Sequence, residues 1–224
     1  AWGANAYGAV GHGQLGDGTT ANRLIPVRVL GGGMRVAAGR RHSLTLDTSG
    51  NVWAWGENYY CQLGDGTLID RLLPVQSLIS GVSAIAAQYD GNLACKSDGS
   101  VWSYGANRSQ VPVLPTAVAG LAGVSNVAMG FNHKLALKAD RSVWSWGWSN
   151  GGYDADYGQC GRVTPDYLNF PVRGYYPGPV PGLGGVVGIA AGYFFSAAVK
   201  DDGSVWTWGW NGSGQLGDGT VSTN

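Results

Sequence analysis

The side chains that could do chemistry are three histidines, three cysteines and a recurring aspartate. His42 lies in GRRHSL and His133 in GFNHKL. An imidazole acts as a general base only where the fold brings a nucleophile or a carboxylate against it. These two occupy matching points of a repeated stretch, and another copy carries Phe195 there, so they are read as structural hydrogen-bonding groups facing a neighbouring strand. His12, in GHGQLGDG, reads as an exposed loop residue. The GDGT segments at Gly16, Gly64 and Gly217 hold one aspartate each. A calcium loop needs several oxygen ligands at set spacing, so each Asp is expected to cap its own tight turn. No GxxxxGK[ST] phosphate loop is present. No catalytic set, metal or cofactor is predicted. Cys95 takes an apolar strand position, whereas Cys61 and Cys160 fall in repeated loops, at YYCQLGDG and YGQCGR. All three are expected as thiols, a Cys61–Cys160 bridge being the alternative.

Two features could bind a partner. Arg40, Arg41 and Arg71 are isolated basic residues on a chain of zero formal net charge, which excludes broad attraction to nucleic acid or anionic lipid. The 148–188 stretch is the richer candidate. It carries Trp148, Tyr153, Tyr157, Tyr167, Phe170, Tyr175 and Tyr176 among several prolines. Aromatic side chains on a stiffened loop offer large contact area at low entropic cost. These seven are the candidate partner-binding residues, for a protein or a glycan. The alternative is that they pack down over the edge of their own sheet.

The elements that must position these residues are repeated. DGSVWTWG (Asp202 to Gly209) has near copies at SGNVWAWG, DGSVWSYG and DRSVWSWG, and a headless copy opens the chain as Ala1-Trp2-Gly3. Alternation of Val and Trp with small residues is the pattern of a half-buried strand, and the Asp-Gly or Ser-Gly pair before it supplies a tight turn. Arg141 replaces that Gly in one copy, so its turn must change type or accept strain. Upstream of each lies a second repeated block: VAAGRRHSLTL, IAAQYDGNLAC, VAMGFNHKLAL and IAAGYFFSAAV. The unit is therefore strand, break, strand, tight turn and Trp-bearing strand. Successive aromatic-Gly pairs lie 53, 49, 42 and 62 residues apart, so loops absorb the length variation. The repeats run approximately 1–35 (partial), 36–84, 85–126, 127–188 and 189–224 (partial), within one domain of 1–224.

Glycine is abundant, at 39 of 224 residues, but with 44% hydrophobic residues and this periodicity it marks tight turns and not low complexity. No apolar run reaches the ~18 residues of a transmembrane helix, so no membrane insertion is expected. The chain lacks an initiator Met and opens inside a strand motif, which reads as a fragment or processed segment. One sheet cannot bury both faces alone. Stacking the sheets face to face would bury Val and the paired Trp residues between neighbours, with the alanines of the AAG-type strand where strands converge. The fold class predicted is all-β, a β-propeller of four full blades and a partial one.

The combination of [VI]-A-A-G, H-S-L, D-G-S-V-W-x-W-G and G-Q-L-G-D-G-T resembles the regulator of chromosome condensation repeat, over essentially the whole chain. The resemblance implies a β-propeller, most often seven-bladed with four-stranded blades, so this chain would be an incomplete ring or part of one. It also implies that the His of H-S-L belongs to the repeat itself. The wording GDGTTANRLIPVRV (Gly16 to Val29) is similar to prokaryotic members, many secreted or surface-attached, which points to an extracellular or cell-surface location. The function expected is a non-catalytic interaction scaffold with a protein partner. Inhibition of an extracellular enzyme falls within it, and self-association through open blade faces would accompany it. The family also implies guanine-nucleotide exchange on a small GTPase as the alternative. Its plant UV-B photoreceptor needs a Trp in GWRHT, where this chain has Arg40 in GRRHS.

Overall fold

The computed structural model describes residues 1–6, 11–106, 111–147, 157–162 and 176–222. All regular structure among them is β. The chain divides into two compact units, Ala1–Val118 and Ala119–Asn224.

The first unit holds two four-stranded antiparallel sheets. One is β1 (Gly33–Ala38), β2 (His42–Asp47), β3 (Val52–Gly56) and β4 (Arg71–Gln76). The other is β5 (Val82–Gln88), β6 (Gly91–Lys96), β7 (Val101–Gly105) and β8 (Thr116–Ala117). The second unit holds β9 (Val124–Met129), β10 (His133–Lys138), β11 (Val143–Gly147) and β12 (Gly178–Pro179), then a three-stranded sheet of β13 (Val186–Ala191), β14 (Phe195–Lys200) and β15 (Val205–Gly209). Strands follow one another in space as in sequence, and the register recurs. His42 pairs with Gly56, His133 with Gly147 and Phe195 with Gly209. The first strand of every sheet carries an irregularity of register near its start.

Strand alternation puts Val52 and Ala54 on one face of their sheet and Trp53 and Trp55 on the other. Within the first unit, Leu44, Leu46, Val52 and Ala54 are fully buried against a cluster that includes Ile85, Ala87, Trp102 and Tyr104 of the next sheet. Within the second, Ala128, Leu135, Leu137 and Val143 meet Ile189, Ala191, Ala198 and Trp208. Each buried Leu contributes roughly 1.5–3 kcal/mol. The indoles expected as equal partners between the sheets divide into two kinds. Trp55, Tyr104 and Trp146 are buried, whereas the first aromatic of each pair is only partly covered and Trp206 is 48% exposed. A lysine caps three of these outer rings: Lys96 lies 4.4 Å from the Trp102 centroid, Lys138 4.8 Å from Trp144 and Lys200 4.5 Å from Trp206. Such cation–π contacts at part-exposed sites contribute about 0.5–1 kcal/mol each.

The tight turns keep one geometry. The backbone N–H of Gly99 bonds the carbonyl of Lys96 at 2.9 Å, Gly203 bonds Lys200 at 3.0 Å, and Arg141 bonds Lys138 at 2.9 Å. Arg141 thus holds the left-handed conformation of its glycine counterparts, with φ 66°. The turn accepts strain and does not change type. The guanidinium of Arg141 pairs with Asp201, with both side chains half exposed. An exposed pair offsets only part of a left-handed strain of about 1 kcal/mol. Arg141→Gly should therefore raise stability by about 0.5 kcal/mol, read as a higher urea midpoint at unchanged slope. A lower midpoint would show that the ion pair outweighs the strain.

Candidate functional site

The GDGT aspartates do cap their turns. Asp65 Oδ1 accepts the Thr67 N–H at 3.0 Å and its hydroxyl at 2.8 Å, and the guanidinium of Arg71 pairs with Oδ2 at 2.9 Å. Asp17 and Asp218 bind Thr19 and Thr220 in the same way. The Thr19 hydroxyl and then Arg23 hold the Asp17 carboxyl down at about 2, against the opposing effect of desolvation. Sequence reading missed the centre of these loops, an asparagine two residues after each Trp-Gly. Asn58 is fully buried. Its amide N–H groups donate to Asp65 Oδ1 at 2.9 Å and the Thr67 carbonyl at 3.0 Å, and its Oδ1 accepts the Leu63 N–H at 3.0 Å. Asn5 and Asn211 repeat this arrangement. The signal was legible as W-G-x-N ahead of every Q-L-G-D-G-T.

The same loops present a backbone carbonyl to the next sheet. Gln14 O accepts the Trp55 indole N–H at 2.9 Å and the Ser43 hydroxyl at 2.9 Å. Gln159 O accepts Trp208 Nε1 at 3.0 Å and the Ser196 hydroxyl at 2.9 Å. Gln62 O accepts the Asn92 amide at 2.7 Å. The two strand histidines complete this contact. His42 Nε2 lies 2.7 Å from Asn92 Oδ1, and His133 Nε2 lies 2.8 Å from Ser196 Oγ. Asn92 Oδ1 can only accept, and the Ser196 hydroxyl proton is directed at Gln159 O. Both imidazoles therefore carry the proton on Nε2. Their Nδ1 atoms are buried without a partner among the described residues, over Gly39 and Gly130, where a Cβ would collide with the ring. Burial pushes His42 down, and burial followed by the Lys134 charge lowers His133 to about 4. These are neutral structural groups linking neighbouring strands, as read from the repeat.

His12 is not the exposed residue the sequence suggested. Its Nδ1 lies 2.7 Å from Asp70 Oδ2 and its Nε2 3.7 Å from Glu57 Oε1, with the imidazole side chain 14% exposed. A loop histidine is drawn in because two carboxylates of the adjacent loop face it. Glu57 also binds Arg41 at 3.0 Å, and Arg40 stacks on Tyr89 with its guanidinium 4.8 Å from the ring centroid. The arginines thus serve contacts within the unit. Cys61, Cys95 and Cys160 are buried, and none is in a disulfide. Cys61 stands where other repeats have glycine, at φ 62°.

The geometry that stands out in the second unit is aromatic. Phe131 stacks on Tyr193 with centroids 4.2 Å apart at 15°, and Tyr193 meets Phe194 edge-on at 4.6 Å. Phe194 is 5.3 Å from Tyr157 and 6.3 Å from Trp210, and Tyr157 is 6.0 Å from Trp210. The rings come from the β9–β10 turn, the β13–β14 turn, the segment after β15 and the loop before Gln159. Tyr193 is 49% exposed. Of the seven predicted residues, Tyr157 joins this cluster. Tyr176 is exposed, and its carbonyl accepts Arg162 Nη2 at 2.6 Å. Trp148, Tyr153, Tyr167, Phe170 and Tyr175 lie outside the described residues. Phe131, Tyr193, Phe194 and Trp210 were not foreseen, because they sit in separate repeats and only sheet stacking makes them neighbours.

Repeated antiparallel blades, joined by carbonyl-to-indole contacts and carrying aromatic loops, define a repeat protein of the propeller class. The Regulator of chromosome condensation (RCC1) repeat models match residues 1–46 and 49–88, and 35–62, 124–159 and 186–215. The chain belongs to the RCC1 repeat family, and its fold is a partial propeller of that type. It is 31% identical over 246 residues to human E3 ubiquitin-protein ligase HERC2, covering 99% of this chain and 5% of that protein. The chain thus spans about one-twentieth of the length of the curated relatives it matches. Yeast RCC1 (Prp20), solved bound to Kap60, superposes with a TM-score of 0.78 at 22% identity, over 100% of this chain and 54% of that one. Prp20p from Saccharomyces cerevisiae, in a separate structure, matches with a TM-score of 0.66 at 27% identity, over 84% of this chain and 47% of that one.

Two outcomes follow from the buried polar groups. Between about pH 4 and 6.5 the unfolded chain binds more protons at His133 than the native one, so stability rises with pH through that window. Acidification from neutrality should remove up to roughly 3 kcal/mol through this residue. His133→Phe, which copies Phe195, should flatten that part of a pH series of denaturant melts. An unchanged slope would exclude His133 as its source. Asn58→Ala removes one of the donors to the Asp65 carboxylate and takes their Asn58 partner from the Leu63 N–H and the Thr67 carbonyl, and should cost about 2–4 kcal/mol in the same assay.

Proposed function

We propose that the chain, taken as one propeller domain of residues 1–224, is a non-catalytic protein-interaction module. Its recognition surface in the second unit is the cluster of Phe131, Tyr157, Tyr193, Phe194 and Trp210. The observation that carries this reading is the cluster itself: five rings from four separate loops meet at the loop end of the sheets, with Tyr193 half exposed. Rigid aromatic anchors on loops held by a stiff scaffold are the usual energetic centre of protein interfaces. Family membership supports a protein partner, since Prp20 has been solved with Kap60 and Prp20p has binding properties toward Gsp1p and histones. The 148–188 insertion enters the reading through Tyr157 and Tyr176 and adds its remaining aromatics to the same recognition function.

A second reading, nucleotide exchange on a small GTPase, is favoured by the Prp20p likeness alone. The two are separable. Immobilised wild type should retain a protein from its native source that Tyr193→Ala with Trp210→Ala loses by about tenfold or more, at unchanged melting temperature. Tyr59→Ala in the first unit should retain it. Equal recovery by all three proteins would remove the cluster from the reading. Accelerated release of bound nucleotide from a GTPase panel would replace scaffold with exchange.

A further inference from the structure

The GQLGDGT loop ahead of β1 is longer than its counterparts. Gln14 lies nine positions after Asn5, whereas Gln62 and Gln215 lie four positions after Asn58 and Asn211. The shorter loops close on themselves: Gln62 Oε1 accepts the Tyr60 N–H at 2.7 Å, and Gln215 Oε1 accepts the Ser213 N–H at 2.7 Å. The longer loop gives this bond up, and Gln14 Oε1 is buried without a partner among the described residues. An unpaired buried acceptor costs free energy, which another contact must offset. His12, at the point that Tyr60 and Ser213 hold, lies instead against the segment between β3 and β4.

Two carboxylates face this imidazole there. Asp70, just before β4, places Oδ2 2.7 Å from Nδ1, and Glu57, just after β3, places Oε1 3.7 Å from Nε2. Both acids are anchored. Asp70 Oδ1 accepts the Asn58 N–H at 2.8 Å, and Glu57 accepts Arg41 at 3.0 Å and the Gln62 amide at 3.3 Å. Neither neutral tautomer suits both sides. With the proton on Nδ1, the Nε2 lone pair meets Glu57; with it on Nε2, the Nδ1 lone pair meets Asp70 at hydrogen-bond distance. The imidazolium alone presents a donor to each. It also balances the charge: among the described residues Arg41 answers Glu57, and only His12 answers Asp70.

We infer that His12 is a proton-operated clasp between two loops of the first unit. Protonated, it holds residues 11–20 onto the 57–70 segment through both ring nitrogens. Deprotonated, it keeps the Asp70 bond, sets a lone pair against Glu57 and loosens that hold. The contribution is full in acid and is lost as pH rises, opposite in sense to that of His133. The clasp acts on loops and leaves the sheet alone, because His12, Arg41, Glu57, Gln62 and Asp70 all lie outside β1–β4.

Hydrogen exchange of chain 1–224 reads the clasp locally, at the Leu15 and Asn58 amides, which donate to Asn5 Oδ1 and Asp70 Oδ1. His12→Gln keeps an amide donor for Asp70 and removes the charge, and comparison with wild type at one pH cancels intrinsic exchange rates. At about pH 5.5 wild type should be protected about fivefold or more over His12→Gln at both amides, and at about pH 8.5 the gap should fall to about twofold or less. In a Glu57→Gln background, adding His12→Gln should change protection by no more than about twofold at either pH. A gap that is equal at the two pH values, one that is larger at the higher pH, or none at either would each overturn the proposal. So would a full acid-side gap in the Glu57→Gln background.

Discussion

The structure depends on one shared acceptor: the backbone carbonyl of the glutamine in each GQLG-type loop. In water such a carbonyl is worth little to any one donor. Buried between sheets, it must be satisfied: an indole and a hydroxyl from the next sheet do so together at Gln14 and Gln159, and the Asn92 amide does so at Gln62. That requirement sets how far the second Trp of the motif enters in those two places and puts a hydroxyl at Ser43 and Ser196. The apolar faces supply the larger energy, but they are non-directional and would tolerate a slipped sheet. The carbonyl contact does not tolerate slippage, because a slip of one residue turns the indole to the opposite face.

Departures from the repeat follow the same constraint. Gln88 can replace the glycine beneath the strand imidazole because Gly91, at the histidine position, supplies no ring. Asn92 replaces serine at the contact, and its amide both accepts from His42 and donates to Gln62 O. Tyr104 replaces the indole, and there the Asn92 amide alone holds the carbonyl. Cys160 stands at a leucine position and remains buried, while Cys61 and Arg141 occupy glycine positions and keep the left-handed backbone. The scaffold geometry persists through these exchanges, which is why family membership is readable at low identity while function is not.

The loops at corresponding positions diverge in chemistry. The first unit places Arg40, Arg41, Tyr89 and Asp90 after its first strands, engaged with Glu57 and His12 nearby. The second places Phe131, Tyr193 and Phe194 there. One backbone frame thus carries a charged network in one unit and a stacked aromatic cluster in the other. The proposed recognition function rests on these substitutions, whose cost to the fold is small because they fall in loops and not in the strands.

Residue order alone determined the repeat, its strands and tight turns, and the structural role of His42 and His133. Those properties are local or periodic, so spacing encodes them directly. W-G-x-N was equally visible, yet the function of Asn58 depends on a loop closing back on itself. Only tertiary structure decided that the two tryptophans of each motif differ in burial, that His12 sits between two carboxylates, and that Tyr157 meets Phe194 and Trp210. Each of those facts depends on how side chains of successive repeats pack against one another. Their proximity is set by how sheets stack and loops fold over them, and nothing in linear spacing specifies it.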